Sequence, residues 1–149
     1  MIRVVLVLRL AVPAVWLGLI IGLSFIEAPI KFTAPGITIP LGLGIGRLVF
    51  NALAIAGFTL LAMLTVVAII APKISRAAWL ILAGLWVVLL VQSLVVRPAL
   101  SARSDVIIAG GDPGPSVLHY AYIAADVLIV ALLVAWLVMA SRKITFAEA

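Results

Sequence analysis

The sequence predicts an all-α integral membrane protein, a bundle of four transmembrane helices, and three observations carry that reading. Of 149 residues, 67% are hydrophobic and 10% charged, whereas soluble domains are about half apolar and a quarter charged. The apolar residues fall into four runs, at about 10–26, 48–71, 77–96 and 119–140, each near the ~20 residues that cross ~30 Å of hydrocarbon. The basic residues stand in pairs at the ends of those runs: Arg3 and Arg9, Lys73 and Arg76, Arg97 and Arg103, Arg142 and Lys143. That is the pattern of topology signals and interfacial anchors. Residues 1–149 are read as a single transmembrane domain.

The same pattern excludes several functions. The net charge of +5 is not gathered into a basic patch, so nucleic acid is not a partner; the lipid bilayer is. With no cysteine, disulfides, thiolate metal sites and thiol redox chemistry are absent, and one histidine excludes bis-histidine haem from this chain alone. No cofactor or metal is expected. No nucleophile elbow, zinc-protease motif or kinase signature is present, so the chain is not read as an enzyme.

Each element has its own justification. The first span is too long for a signal-peptide core and has no small-x-small cleavage site, so it is read as a retained helix. Val4–Leu8 and Arg9 are expected in or near the headgroups. Pro13 sits near the start of this span, where a helix needs no N–H partner. Gly18 and Gly22 form a GxxxG pattern, read as close packing within the bundle ahead of dimerisation. The first loop, 28–45, is apolar, and its prolines and glycines are expected to prevent a regular helix. It is expected to lie in the interface or fold back onto the bundle. Pro72 to Arg76 is a tight link, making the second and third spans antiparallel neighbours. The third loop, 97–118, is polar and ends in the turn-rich stretch from Gly110 to Pro115. No internal repeat is evident.

Orientation follows the Lys/Arg count. The N-terminus, second loop and C-terminal tail hold Arg3, Arg9, Lys73, Arg76, Arg142 and Lys143. The other loops hold Lys31, Arg47, Arg97 and Arg103. The bias places both termini in the cytoplasm of a bacterial-type plasma membrane.

Alternating helices bring four ends together on the outer face, and the intramembrane polar residues sit at those ends. Ser24 and Glu27 share one helical stripe, as do Arg47 and Asn51, Ser93 and Arg97 (with Gln92 beside them), and His119, Tyr122 and Asp126. Asp126 lies deepest, about two turns inside an apolar run, where a carboxylate costs roughly 2.5–3.5 kcal/mol at the membrane centre. About ten Val, Ile and Leu residues in that helix, at ~0.3–0.6 kcal/mol each, can offset it, so insertion leaves its protonation state open. The charges nearly balance, and Glu27 and Asp126 are expected to pair with Arg47 and Arg97. Asn51, Gln92, Ser93 and His119 are expected to fill the remaining hydrogen bonds.

The ligand or ion-binding candidates are therefore Glu27, Arg47, Asn51, Arg97, His119, Tyr122 and Asp126. Three readings stay open: bundle cohesion, a polar site for a proton, cation or small polar solute, and a metal site from His119, Asp126 and Glu27. The metal reading suffers because a spacing of seven puts His119 and Asp126 about 10 Å apart along the axis.

Some of these residues carry a resemblance. The segment from Phe25 to Phe32 resembles the F-x-x-A-P-x-x-F stretch of transmembrane-protein-205-like membrane proteins, a family of undefined biochemistry. The glycine-rich start of the second helix, Phe50, and Leu118-His119 opening the last helix with a polar residue seven positions on also fit. The resemblance implies a four-helix membrane protein, with one eukaryotic relative linked to drug resistance. Pro29, Phe32, His119 and Asp126 match motif positions, though the family carries asparagine where this chain has Asp126.

The function expected is that of a small polytopic membrane protein whose polar site handles a proton, cation or small polar solute. The alternatives are an accessory subunit packed in a larger membrane complex or homo-oligomer, and a membrane enzyme. The enzyme reading lacks the Arg/Asn/Glu-rich second-helix signature of a glutathione-transferase-like trimer.

Overall fold

The computed structural model describes residues 2–70 and 72–145. Ala71, the last residue of the second expected span, and Glu148 in the tail lie outside the described residues, as does the Lys143 side chain. Four helices form the bundle: α1 (Ile2–Thr33), α2 (Ile39–Ile70), α3 (Arg76–Ile108) and α4 (Leu118–Thr145). Each is long and apolar enough to cross a membrane, and there is no strand among the described residues. At 1.5 Å per residue the 32 residues of α2 reach roughly 48 Å. That exceeds ~30 Å of hydrocarbon, so the helix tilts or its ends stand among headgroups.

The helices form a ring in which α1 and α3 each pack on both α2 and α4. Neighbours are antiparallel: Trp86 Nε1 of α3 donates to Thr65 Oγ1 of α2 at 3.1 Å near one end, and Arg97 of α3 donates to Asn51 of α2 near the other. The core between them holds Trp16, Ile20, Leu61, Leu64, Leu82, Leu85, Ile129 and Leu133, all fully buried. Leu48, Ile69, Leu80 and Leu94 point outward, as side chains facing lipid rather than water do.

Two expected loops are largely helical. The first loop is reduced to 34–38, because α1 continues to Thr33 and α2 begins at Ile39. Pro29 and Pro40 do not break these helices. Pro29 begins the α-helical turn that follows a wider segment of α1, and Pro40 stands in the first turn of α2, where no N–H partner is required. The glycines serve packing. A Cβ at Gly42 would overlap the Phe32 ring, and one at Gly46 would stand 3.0 Å from Lys31 Nζ, so bare backbone lets the end of α1 fold back on α2. The third loop shrinks to 109–117, since α3 continues through Pro98, which comes just after a widened segment of that helix. α3 ends in a Schellman motif: Gly111 N–H donates to Val106 O, Gly110 N–H to Ile107 O, and Gly110 takes φ 85°.

Gly18 and Gly22 correct a second expectation. Nothing stands within 4 Å of a Cβ at either one, so the GxxxG pattern does not pack within the bundle. The close approach occurs at Gly57, where a Cβ would meet Trp16 Nε1 at 3.3 Å.

Arg9 corrects a third. It is not a headgroup anchor but is 5% exposed. One terminal nitrogen donates to the carbonyls of Val67 (3.2 Å), Ala68 (3.3 Å) and Pro72 (2.8 Å). These are the acceptors that the last turn of α2 and the chain leaving it cannot satisfy internally. Trp136 Nε1 of α4 donates to the Arg9 carbonyl at 2.9 Å. The end of the bundle near the termini is therefore tied together by one buried guanidinium rather than being wholly apolar.

Candidate functional site

At the opposite end, where α1 and α3 finish and α2 and α4 begin, the helices part around a cavity of about 880 Å³. Two of its walls come from irregular helix. α1 widens to π geometry over Ile21–Glu27 and α3 over Gln92–Val96, each followed by a proline-bearing turn. Such widened segments recur at functional sites because they displace the regular hydrogen-bond ladder.

Six of the seven candidate residues line this cavity: Arg47 and Asn51 from α2, Arg97 from α3, and His119, Tyr122 and Asp126 from α4. Glu27 does not. It accepts from Lys31 one turn later, at 3.4 Å, and it is Lys31 that reaches the cavity, its Nζ 5.4 Å from the centre of the Phe50 ring. The sequence reading had counted Lys31 only as a loop charge.

The expected pairing of carboxylates with guanidiniums is not the one formed. Arg47 pairs with Asp105, which the extension of α3 brings over the start of α2. Arg97 donates to the neutral Asn51 Oδ1 at 3.2 Å and has no carboxylate partner among the described residues. Asp126, 2% exposed, meets no arginine. Its Oδ1 accepts from Gln92 Nε2 at 2.7 Å, and the same amide nitrogen stands 3.4 Å from the Tyr122 carbonyl. The Tyr122 ring stacks at 5.2 Å on Phe50, closing the wall between α4 and α2.

What is left unsatisfied is more informative than what is paired. Among the described residues four buried side-chain polar atoms lack a hydrogen-bond partner: Arg9 Nε, Ser24 Oγ, Ser93 Oγ and Asp126 Oδ2. Three of these belong to residues lining the one cavity. Buried polar atoms are overwhelmingly hydrogen-bonded, so three exceptions together mark a place adapted to something other than the bundle's own cohesion. Ser24 interacts with Asp126, yet neither its hydroxyl nor Oδ2 makes a bond of ordinary geometry. Ser93, expected to fill a hydrogen bond, fills none, while Gln92 does.

The arrangement offers a deep oxygen-rich end at Ser24, Ser93 and Asp126 and an aromatic wall at Phe50 and Tyr122. Toward the mouth stand Lys31, Arg47, Arg97 and the exposed His119. It does not assemble the metal set of His119, Asp126 and Glu27, since Glu27 is outside the cavity. No group of three or more His, Cys, Asp or Glu among the described residues is placed to hold a metal ion.

Fold and site together define a small four-helix membrane protein with a polar cavity at one end. No known protein family, curated protein or solved structure matches the chain.

Proposed function

We propose that the protein binds a small polar solute in this cavity, at the outer face of a plasma membrane. The observation that carries this reading is the trio of unpartnered buried oxygens at the cavity's deep end. A bundle held together by polar pairs would close them on one another, since an unmade buried hydrogen bond costs about 1–3 kcal/mol. Three further features fit. The volume lies in the range of small-molecule sites, roughly 300–1,000 Å³. Arg97 has a charge that no carboxylate among the described residues neutralises, leaving it for an acidic or carbonyl group of a solute. Pro29, Phe32, His119 and Asp126, the positions of the resemblance to transmembrane-protein-205-like proteins, all line the cavity.

The test is thermal unfolding of the purified protein against a panel of amino acids, polyols, organic acids and organic cations, in wild type and in Asp126→Asn. The reading expects at least one solute class to raise the wild-type Tm and to lose that effect in the variant. It is contradicted if no class stabilises wild type more than Asp126→Asn.

A further inference from the structure

The two widened helix segments are more alike than the sequence first shows. Ser24 stands five residues before Pro29 in α1, and Ser93 five residues before Pro98 in α3. Each serine lies inside its π segment, and each proline opens the turn that follows. The buried positions keep the same offset: Pro13, Trp16 and Ile20 of α1 correspond to Leu82, Leu85 and Leu89 of α3. Thus α1 and α3 share one pattern of buried positions, serine and proline, and the serines approach from helices on opposite corners of the ring. Asp126 of α4 has no acidic counterpart in α2. The equivalent register, set by the buried runs Leu61 and Leu64 against Leu133 and Trp136, falls at Ala54.

From this placement we infer that Ser24 Oγ, Ser93 Oγ and Asp126 Oδ2 form a site for one monovalent alkali cation of the sodium class. All three atoms are oxygens, the donor type that hard cations take. All three are buried and make no hydrogen bond of ordinary geometry, Ser24 standing near enough to Asp126 to interact with it, and all belong to residues lining one cavity. The ligand charge is a single carboxylate with two neutral hydroxyls, which balances one positive charge. A divalent ion would keep an uncompensated charge in low dielectric. Gln92 holds Oδ1 at 2.7 Å, which leaves Oδ2 as the uncommitted carboxylate oxygen. Among the described residues no cation is paired with Asp126: Lys31 pairs with Glu27, Arg47 with Asp105, and Arg97 donates to Asn51.

The inference rests on the reading of the cavity as a solute site, and the two fail separately. The experiment is thermal unfolding of the full chain in detergent, followed by tryptophan fluorescence, with sodium chloride titrated against choline chloride at constant ionic strength. The expected result is a saturable rise in Tm with sodium. It is absent in Asp126→Asn, shifted at least tenfold in midpoint in Ser24→Ala and Ser93→Ala, and unchanged in Arg76→Gln, an exposed position at the other end of the bundle. Equal curves in sodium and choline overturn the inference, as does a sodium response that survives in Asp126→Asn. An organic solute that still distinguishes wild type from Asp126→Asn in sodium-free buffer leaves the solute reading standing when the cation fails; loss of both removes both.

Discussion

Replacing Asp126 with asparagine should make the protein more stable in sodium-free buffer. The carboxylate keeps one good bond, Oδ1 to Gln92 Nε2 at 2.7 Å, and leaves Oδ2 buried without a partner. Asparagine keeps the first, since its own Oδ1 can accept from Gln92. Its amide nitrogen then replaces the orphaned oxygen and can donate to Ser24 Oγ, itself unpartnered. Relief of a buried unsatisfied group is worth about 1–3 kcal/mol and a new neutral hydrogen bond about 0.5–1.5 kcal/mol. Hydrogen bonds between membrane helices average nearer 0.6 kcal/mol, so a net gain of about 1–2 kcal/mol is reasonable. For a chain of this size that corresponds to a Tm increase of roughly 2–8 °C. The assay is already built in, because Trp16 and Trp136 are buried in the core and their fluorescence reports its opening. A Tm lowered by Asp126→Asn would refute the reasoning: the carboxylate would then be a structural bond, and cohesion would be the better account of the whole cluster. Gain of stability together with loss of a ligand response is the mark of a residue kept for function.

Other substitutions test the fold that positions the site. Arg9→Leu should lower stability by about 2–3 kcal/mol, since the carbonyls of Val67, Ala68 and Pro72 lose their shared donor; chemical denaturation in detergent reads it, and Arg9→Lys should recover part. Gly42→Ala should cost about 1–3 kcal/mol by driving a methyl into the Phe32 ring, and a Tm equal to wild type would show that the end of α1 does not rest there. Gly22→Leu should leave the monomer's stability within about 0.5 kcal/mol of wild type, because open space surrounds it; a large loss would mean that it packs against something, and size-exclusion chromatography would then show whether a second copy is that partner.

Much of this was legible in the residues. Hydrophobic runs and charge pairs identify four spans because the bilayer imposes both, and helical spacing places Arg47, Asn51, Arg97, His119, Tyr122 and Asp126 at one end. The rest depends on context that spacing does not carry. Pro29, Pro40 and Pro98 look like breakers, yet Pro40 falls in the first turn of α2 while Pro29 and Pro98 come just after the π segments of α1 and α3, so three helices run on beyond the apolar pattern. That extension carries Asp105 to Arg47 and so dissolves the pairing that charge balance alone favoured. Arg9 resembles any flanking cation until the end of α2 is seen to need its donors. Both serines are legible as intramembrane polar residues, and the Ser-x4-Pro spacing that relates them is in the sequence too, carried by residues too weakly polar for hydropathy to register as a repeat.

The central claim is that the cavity is a solvent-reached site and not a sealed polar seam. A chain without cysteine allows the most direct measurement, labelling of single Ser93→Cys and Leu94→Cys variants in intact vesicles with a membrane-impermeant maleimide added from the face opposite the termini. Ser93 lines the cavity, and Leu94, one residue on, faces outward at 69% exposure toward lipid. The account expects Ser93→Cys to react and Leu94→Cys to stay unmodified. Equal protection of both cysteines would contradict it.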